Sequence, residues 1–110
     1  MNLEQARQFA LALPEAIESP HFQSASFRVG GKIFATAPPG GLYLHVFVSE
    51  EEREAALAMY PQCTEKLFWG AKVAGLRVSL ALAKPAIVKR LLGQAWANKA
   101  PKRLLGKTPD

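Results

Sequence analysis

Ser26-Phe27-Arg28-Val29-Gly30-Gly31-Lys32-Ile33-Phe34-Ala35-Thr36-Ala37 is the stretch on which the fold turns. Phe27 and Val29 alternate with Ser26 and Arg28, and Ile33, Ala35 and Ala37 alternate with Lys32, Phe34 and Thr36. That period of two gives a strand unlike faces. The two glycines between the runs supply the positive backbone angles of a two-residue hairpin turn. So short a connection joins antiparallel strands only, because parallel neighbours need a long crossover. A doubly wound nucleotide fold is therefore excluded. The absence of a glycine fingerprint between a strand and a helix excludes it again, since Gly30-Gly31 and Gly40-Gly41 both fall in hairpins.

Working toward the N-terminus, residues 14–25 read as a loop punctuated by Pro14, Ser19, Pro20 and Ser24. Before them, Asn2 and Gln5 have capping-box spacing. Ala6, Phe9, Ala10 and Leu13 recur at helical intervals, which predicts a helix over 3–13 ended by Pro14. Downstream, Pro38-Pro39-Gly40-Gly41 makes a second turn. A central strand over 42–48 follows, with Leu42, Leu44, Val46 and Val48 on one face and Tyr43, His45 and Phe47 on the other. Ser49 with Glu52 is a capping box, and the acidic run suits the positive end of a helix dipole, so a helix over 50–60 is expected, closed by Pro61. Segment 61–75 is the least regular: 66–69 reads as a short strand, and Gly70 and Gly75 frame a turn. Residues 76–82 alternate Leu76, Val78, Leu80 and Leu82 against Arg77, Ser79 and Ala81. Pro85 opens a last helix whose stripe is Ile87, Val88, Leu91, Leu92, Ala95 and Trp96. Lys84, Lys89, Arg90 and Gln94 are left for its outer face. Residues 101–110 read as a basic tail. The order of elements implies an α+β two-layer sandwich, an antiparallel sheet with helices on one face.

The 110 residues, 49% hydrophobic and 21% charged, suit a single domain spanning 1–110 with its own core. No apolar run reaches bilayer length and residues 1–13 lack a signal layout, so the expected address is cytoplasmic, with no membrane partner. The single cysteine, Cys63, excludes an internal disulfide framework and a zinc site built on paired thiolates. The charge is uneven. Residues 1–65 carry Arg7, Arg28, Lys32 and Arg53 against eight glutamates, net −4, whereas residues 66–110 carry ten cations against Asp110, net +9. A basic C-terminal third attracts phosphate backbones or other polyanions.

Pro20-His21-Phe22, the run from Phe27 to Ala35, the glutamate-rich helix start at 50–54 and Ala100-Pro101-Lys102-Arg103-Leu104 together resemble the MmcQ/YjbR family over residues 3–105. The resemblance implies a CyaY-like, frataxin-related sandwich and a DNA-binding assignment resting on basic surface and wing-like hairpins. Fold transfers along such a likeness better than function does. The chain departs from the family pattern in segment 61–75, and in carrying Lys89 and Arg90 where acidic residues are common among relatives. Frataxins present an acidic ridge to iron. Here the first helix offers only Glu4, with Glu15 and Glu18 after it, which does not support iron handling.

Catalysis needs a base, a nucleophile or a metal held by several groups. Cys63 stands in no nucleophile motif, His21 has no second titratable group beside it, and His45 lies far in sequence from other ligand types. The expectation is a non-enzymatic protein with no cofactor and no metal. Two readings of its partner stay open. In the first, Lys89, Arg90, Lys99, Lys102 and Arg103, on or just after the last helix, join Arg28 and Lys32 at the hairpin to hold DNA phosphates. Tyr43, Phe47, Phe34 and Phe68 would add a stacking platform if their sheet face is open. In the second, Tyr43, His45 and Phe47, edged by Arg28 and Arg77, form a face for a protein partner, a small ligand or a second copy in a homodimer. Exposure decides between them. Open cations favour nucleic acid, and cations spent on the Glu50 to Glu54 run favour a protein.

Overall fold

Gly30 and Gly31 take φ of 58° and 79°, and the turn they make joins β2 (Ser24–Val29) to β3 (Lys32–Ala37) as the spacing requires. The computed structural model describes residues 1–106. Around that hairpin lie α1 (Leu3–Ala12), β1 (Ile17–His21), β4 (Tyr43–Val46), α2 (Glu50–Met59), β5 (Thr64–Trp69), β6 (Lys72–Ser79), α3 (Pro85–Lys99) and a short α4 (Lys102–Leu105). The six strands form one antiparallel sheet in the order β1-β2-β3-β4-β6-β5. Both capping boxes close, Asn2 with Gln5 on α1 and Ser49 with Glu52 on α2. Pro85 begins α3, where its missing N–H deprives the helix of nothing. α3 packs across β2, β3 and β4, α1 packs on α3, and α2 packs on β5. The core they enclose holds Phe27, Val29, Leu44, Val46, Leu76 and Val78 from the sheet, and Val88, Leu91, Leu92, Ala95 and Trp96 from α3. Trp96 also donates its indole N–H to the Pro14 carbonyl at 3.0 Å, fixing α3 against the end of α1. Among the described residues, no helix is long and apolar enough to cross a membrane.

Four local expectations are corrected. The segment read as a loop over 14–25 contains β1, an edge strand paired with β2. Its polar, exposed sequence hid it, and Pro20 is tolerated because an edge strand needs only one row of hydrogen bonds. The alternation across β3 breaks at a register shift opposite Phe27 and Arg28, where one extra residue on β3 turns Phe34 and Ala35 both inward, each 0% exposed. Phe34 is thus core and belongs to no stacking platform. Gly75 lies within β6 rather than in a turn. An added Cβ there would stand 2.7 Å from the Val46 carbonyl oxygen and 3.0 Å from Phe47 Cδ1, so the glycine permits a close approach of β6 to β4. β6 accordingly begins at Lys72 and ends at Ser79, and Leu82, like Leu42 before β4, is left exposed outside the strand. Lastly, the basic tail does not begin at 101. α4 docks through Leu104, which is 1% exposed, while residues 107–110 of the expected tail lie outside the described residues.

Candidate functional site

Residues paired across antiparallel strands share a face, so the register sorts the sheet into two sides. Ser19, Ser26, Thr36, His45, Arg77 and Glu65 follow one another from β1 to β5 on the side opposite the helices. This face is left to its own side chains and to solvent. Ser26 donates to the Ser19 carbonyl at 2.6 Å and accepts from Arg28 Nε at 3.0 Å, which ties Arg28 down along β2. The Arg77 guanidinium lies 3.7 Å from the centre of the Tyr43 ring and 3.4 Å from Glu65. Arg77 Nε is buried with no hydrogen-bond partner. Burial first, and the Arg77 charge second, hold the His45 imidazole below its ordinary pKa.

The middle of this face opens into a cleft of about 590 Å³. Ser24, Thr36 and His45 give it a polar floor, Phe47 and Trp69 form one wall, His21 and Phe22 the other, and Lys72 and Lys99 reach it from β6 and the end of α3. The Phe47 and Trp69 rings lie 5.6 Å apart, and His21 meets Phe22 edge to face at 4.7 Å. Among the described residues, no carboxylate lines the cleft.

The cations expected to act together fall into two groups. At one end of the molecule the Pro101 ring packs on the hairpin turn, so closely that a Cβ at Gly30 would come within 3.1 Å of it. This contact carries the hairpin, with Lys32, to the end of α3, with Lys99, and to Lys102 at the start of α4. Lys89 and Arg90 stand apart, about 15 Å up α3 from Lys99 by helical rise. They line a separate groove with Phe9, Leu13 and Glu52, where the Lys89 ammonium lies 5.8 Å from the Phe9 ring. Arg103 is committed elsewhere: its guanidinium holds Glu15 in a bidentate pair at 2.7 and 2.8 Å.

Every ion pair between described residues is made by an arginine, namely Arg7, Arg53, Arg77 or Arg103. None of the described lysines is so engaged. Glu52 accepts from Asn98 at 2.6 Å rather than from a cation of α3. Sequence reasoning missed Trp69, Phe22, Lys72 and the cleft itself. Trp69 ends the strand expected over 66–69 but its partner strand starts earlier than expected, at Lys72, within the span read as a turn, and Phe22 lies in a tight turn after β1, within the span read as a loop. Cys63 is 7% exposed, its thiol directed at the Tyr60 carbonyl and pushed up in pKa by burial, which makes it a poor nucleophile. Among the described residues, no three His, Cys, Asp or Glu side chains converge as metal ligands would.

These features define a class, the small two-layer α+β domain with one sheet face buried under helices and the other open. The chain belongs to the YjbR family, whose model matches residues 11–98. Among solved structures it is similar to the crystal structure of Deinococcus radiodurans protein DR2400, which carries the DUF419 domain. That likeness has a TM-score of 0.72 at 20% identity and covers 94% of this chain and 85% of the other, so it speaks to the fold alone. No curated protein matches the chain.

Proposed function

We propose that the protein is a non-enzymatic, cytoplasmic DNA-binding module that holds phosphates with the basic end formed by the β2–β3 hairpin and the end of α3. The observation that carries this reading is the packing of Pro101 on the Gly30-Gly31 turn, which brings together the chain segments that carry Lys32, Lys99 and Lys102. None of the three is neutralised by a described carboxylate, so the surface attracts a polyanion. The competing reading, a protein partner on the sheet face, needed the lysines of α3 to be spent on the acidic run of α2. Glu52 is instead held by Asn98, and Arg53 satisfies Glu50 and Glu54. Phosphate contacts of this kind position a duplex or a strand without reading its sequence.

Fluorescence anisotropy against labelled single-stranded and duplex DNA at low salt tests the proposal. Lys99→Glu with Lys102→Glu should weaken binding roughly tenfold or more, since two attractive contacts become repulsive. Lys89→Glu with Arg90→Glu, set apart on α3, should weaken it less. Absence of binding to either form of DNA would retire the reading and return attention to the sheet face as a site for a protein partner or a second copy.

A further inference from the structure

We infer that the cleft on the open sheet face holds unpaired bases of a single DNA strand, stacked on Trp69 and Phe47 and met from the far rim by Phe22, with Lys72 and Lys99 on the phosphates. The inference rests on the DNA-binding reading above and narrows it.

Three observations lead there. The first is rings left in water. Trp69 is 64% exposed beside a cleft wall it shares with Phe47, and Phe22 is 95% exposed. Phe22 occupies the first position of a two-residue turn at φ 57°, where glycine fits without strain and a side chain with a Cβ does not. An aromatic held in that conformation, 95% exposed and met edge to face by His21, contributes little to the core and offers its face to a ligand. Exposed aromatic faces bind bases by stacking with little regard to sequence.

The second is charge. The lining includes Lys72, Lys99, His21 and His45 and no carboxylate of a described residue, so it attracts an anion. Lys72 pairs in register with Trp69, so a cation and a ring come from neighbouring positions on one face. Thr36, Ser24 and the half-buried His45 supply hydroxyl and imidazole groups for base edges.

The third is extent. The cleft volume of about 590 Å³ lies in the range of small-ligand sites and admits single nucleotides, not a duplex, whose bases are stacked out of reach. The rings nonetheless stand on opposite rims. Phe22 follows β1 and Trp69 ends β5, five strand spacings or roughly 24 Å along the sheet, more than one nucleotide covers. Lys99 lines the cleft and stands two residues before Pro101, whose ring packs on the Gly30-Gly31 turn, so a chain of phosphates can pass from the cleft toward Lys32 and Lys102 where a free nucleotide cannot.

The test compares an oligothymidylate strand with its duplex on oligoadenylate, by anisotropy and by tryptophan emission, since Trp69 is exposed and Trp96 fully buried. The strand should bind roughly tenfold more tightly than the duplex and quench the emission. Trp69→Phe should abolish the quench while keeping affinity within about threefold, because phenylalanine still stacks, and Trp69→Ala should lose roughly tenfold for the strand alone. Phe22→Gly should weaken strand binding while the melting temperature holds or rises, a combination that a merely structural role does not give. Equal or tighter binding of duplex, with emission unmoved by the strand, would overturn the inference and leave the phosphate reading standing. No binding of either at low salt would remove both.

Discussion

His45 sits at the centre of the open face, between Thr36 and Arg77 in the register, and its depressed pKa links that face to pH. In the unfolded chain an imidazole takes up its proton near the ordinary value of about 6.5. In the folded protein His45 takes it up at lower pH, because burial and Arg77 disfavour the cation. The unfolded state therefore binds more protons between those two values, and stability rises with pH across that window. Its contribution is constant above about 6.5 and falls as the solution is acidified toward the folded value. Urea unfolding followed from neutral to mildly acidic pH should show that decline, and His45→Gln should flatten it. Binding of an anion in the cleft should run the other way, tightening as His45 gains charge. A stability profile unchanged by His45→Gln would show that the imidazole titrates as freely in the fold as outside it.

At the scale of elements, α4 is the part whose behaviour differs most from a solvated tail. Leu104 is 1% exposed within the core cluster, and Arg103 beside it reaches back to Glu15. Leu104→Ala should cost about 2–5 kcal/mol in urea or thermal unfolding, the range for emptying a buried leucine site. A freely solvated segment would show no loss. This element was not legible because four residues form too short a helix to display periodicity, and two leucines directly after two cations read as surface. β1 escaped notice for a related reason: an edge strand exposed along most of its length has no apolar alternation to betray it. By contrast α1, α2, α3 and the hairpin were legible, since caps, Pro85 and Gly30-Gly31 are local chemistry that tertiary contacts did not overrule. The site was legible in half. His45 and Phe47 follow from alternation on β4 and Trp69 falls in the strand expected over 66–69, whereas the place of Lys72 beside it depends on Gly75 staying in the strand. What lets it stay is the close approach of the Val46 backbone and the Phe47 ring, which no pattern within β6 records.

Over the whole molecule the division of labour between arginine and lysine sets what salt should do. The described arginines that pair with glutamate are Arg7, Arg53, Arg77 and Arg103, so the acidic N-terminal part is largely neutralised from within. The described lysines, strongly hydrated point charges on flexible stems, are left for solvent or for a partner. If the partner is a single strand lying from the cleft to the basic end, the contacts belong to Lys72, Lys99, Lys32 and Lys102. Each phosphate neutralised on a single strand contributes about −0.7 to the slope of log affinity against log salt concentration, so the four lysines give about −2.8. Lys102→Ala should reduce the slope to about −2.1, and Lys89→Ala should leave it in place, because Lys89 stands in the groove beside Phe9. A slope near −4.2 that falls when Lys89 and Arg90 are replaced would instead bring that groove into the interface, and the strand would have to wrap from the sheet face around α3.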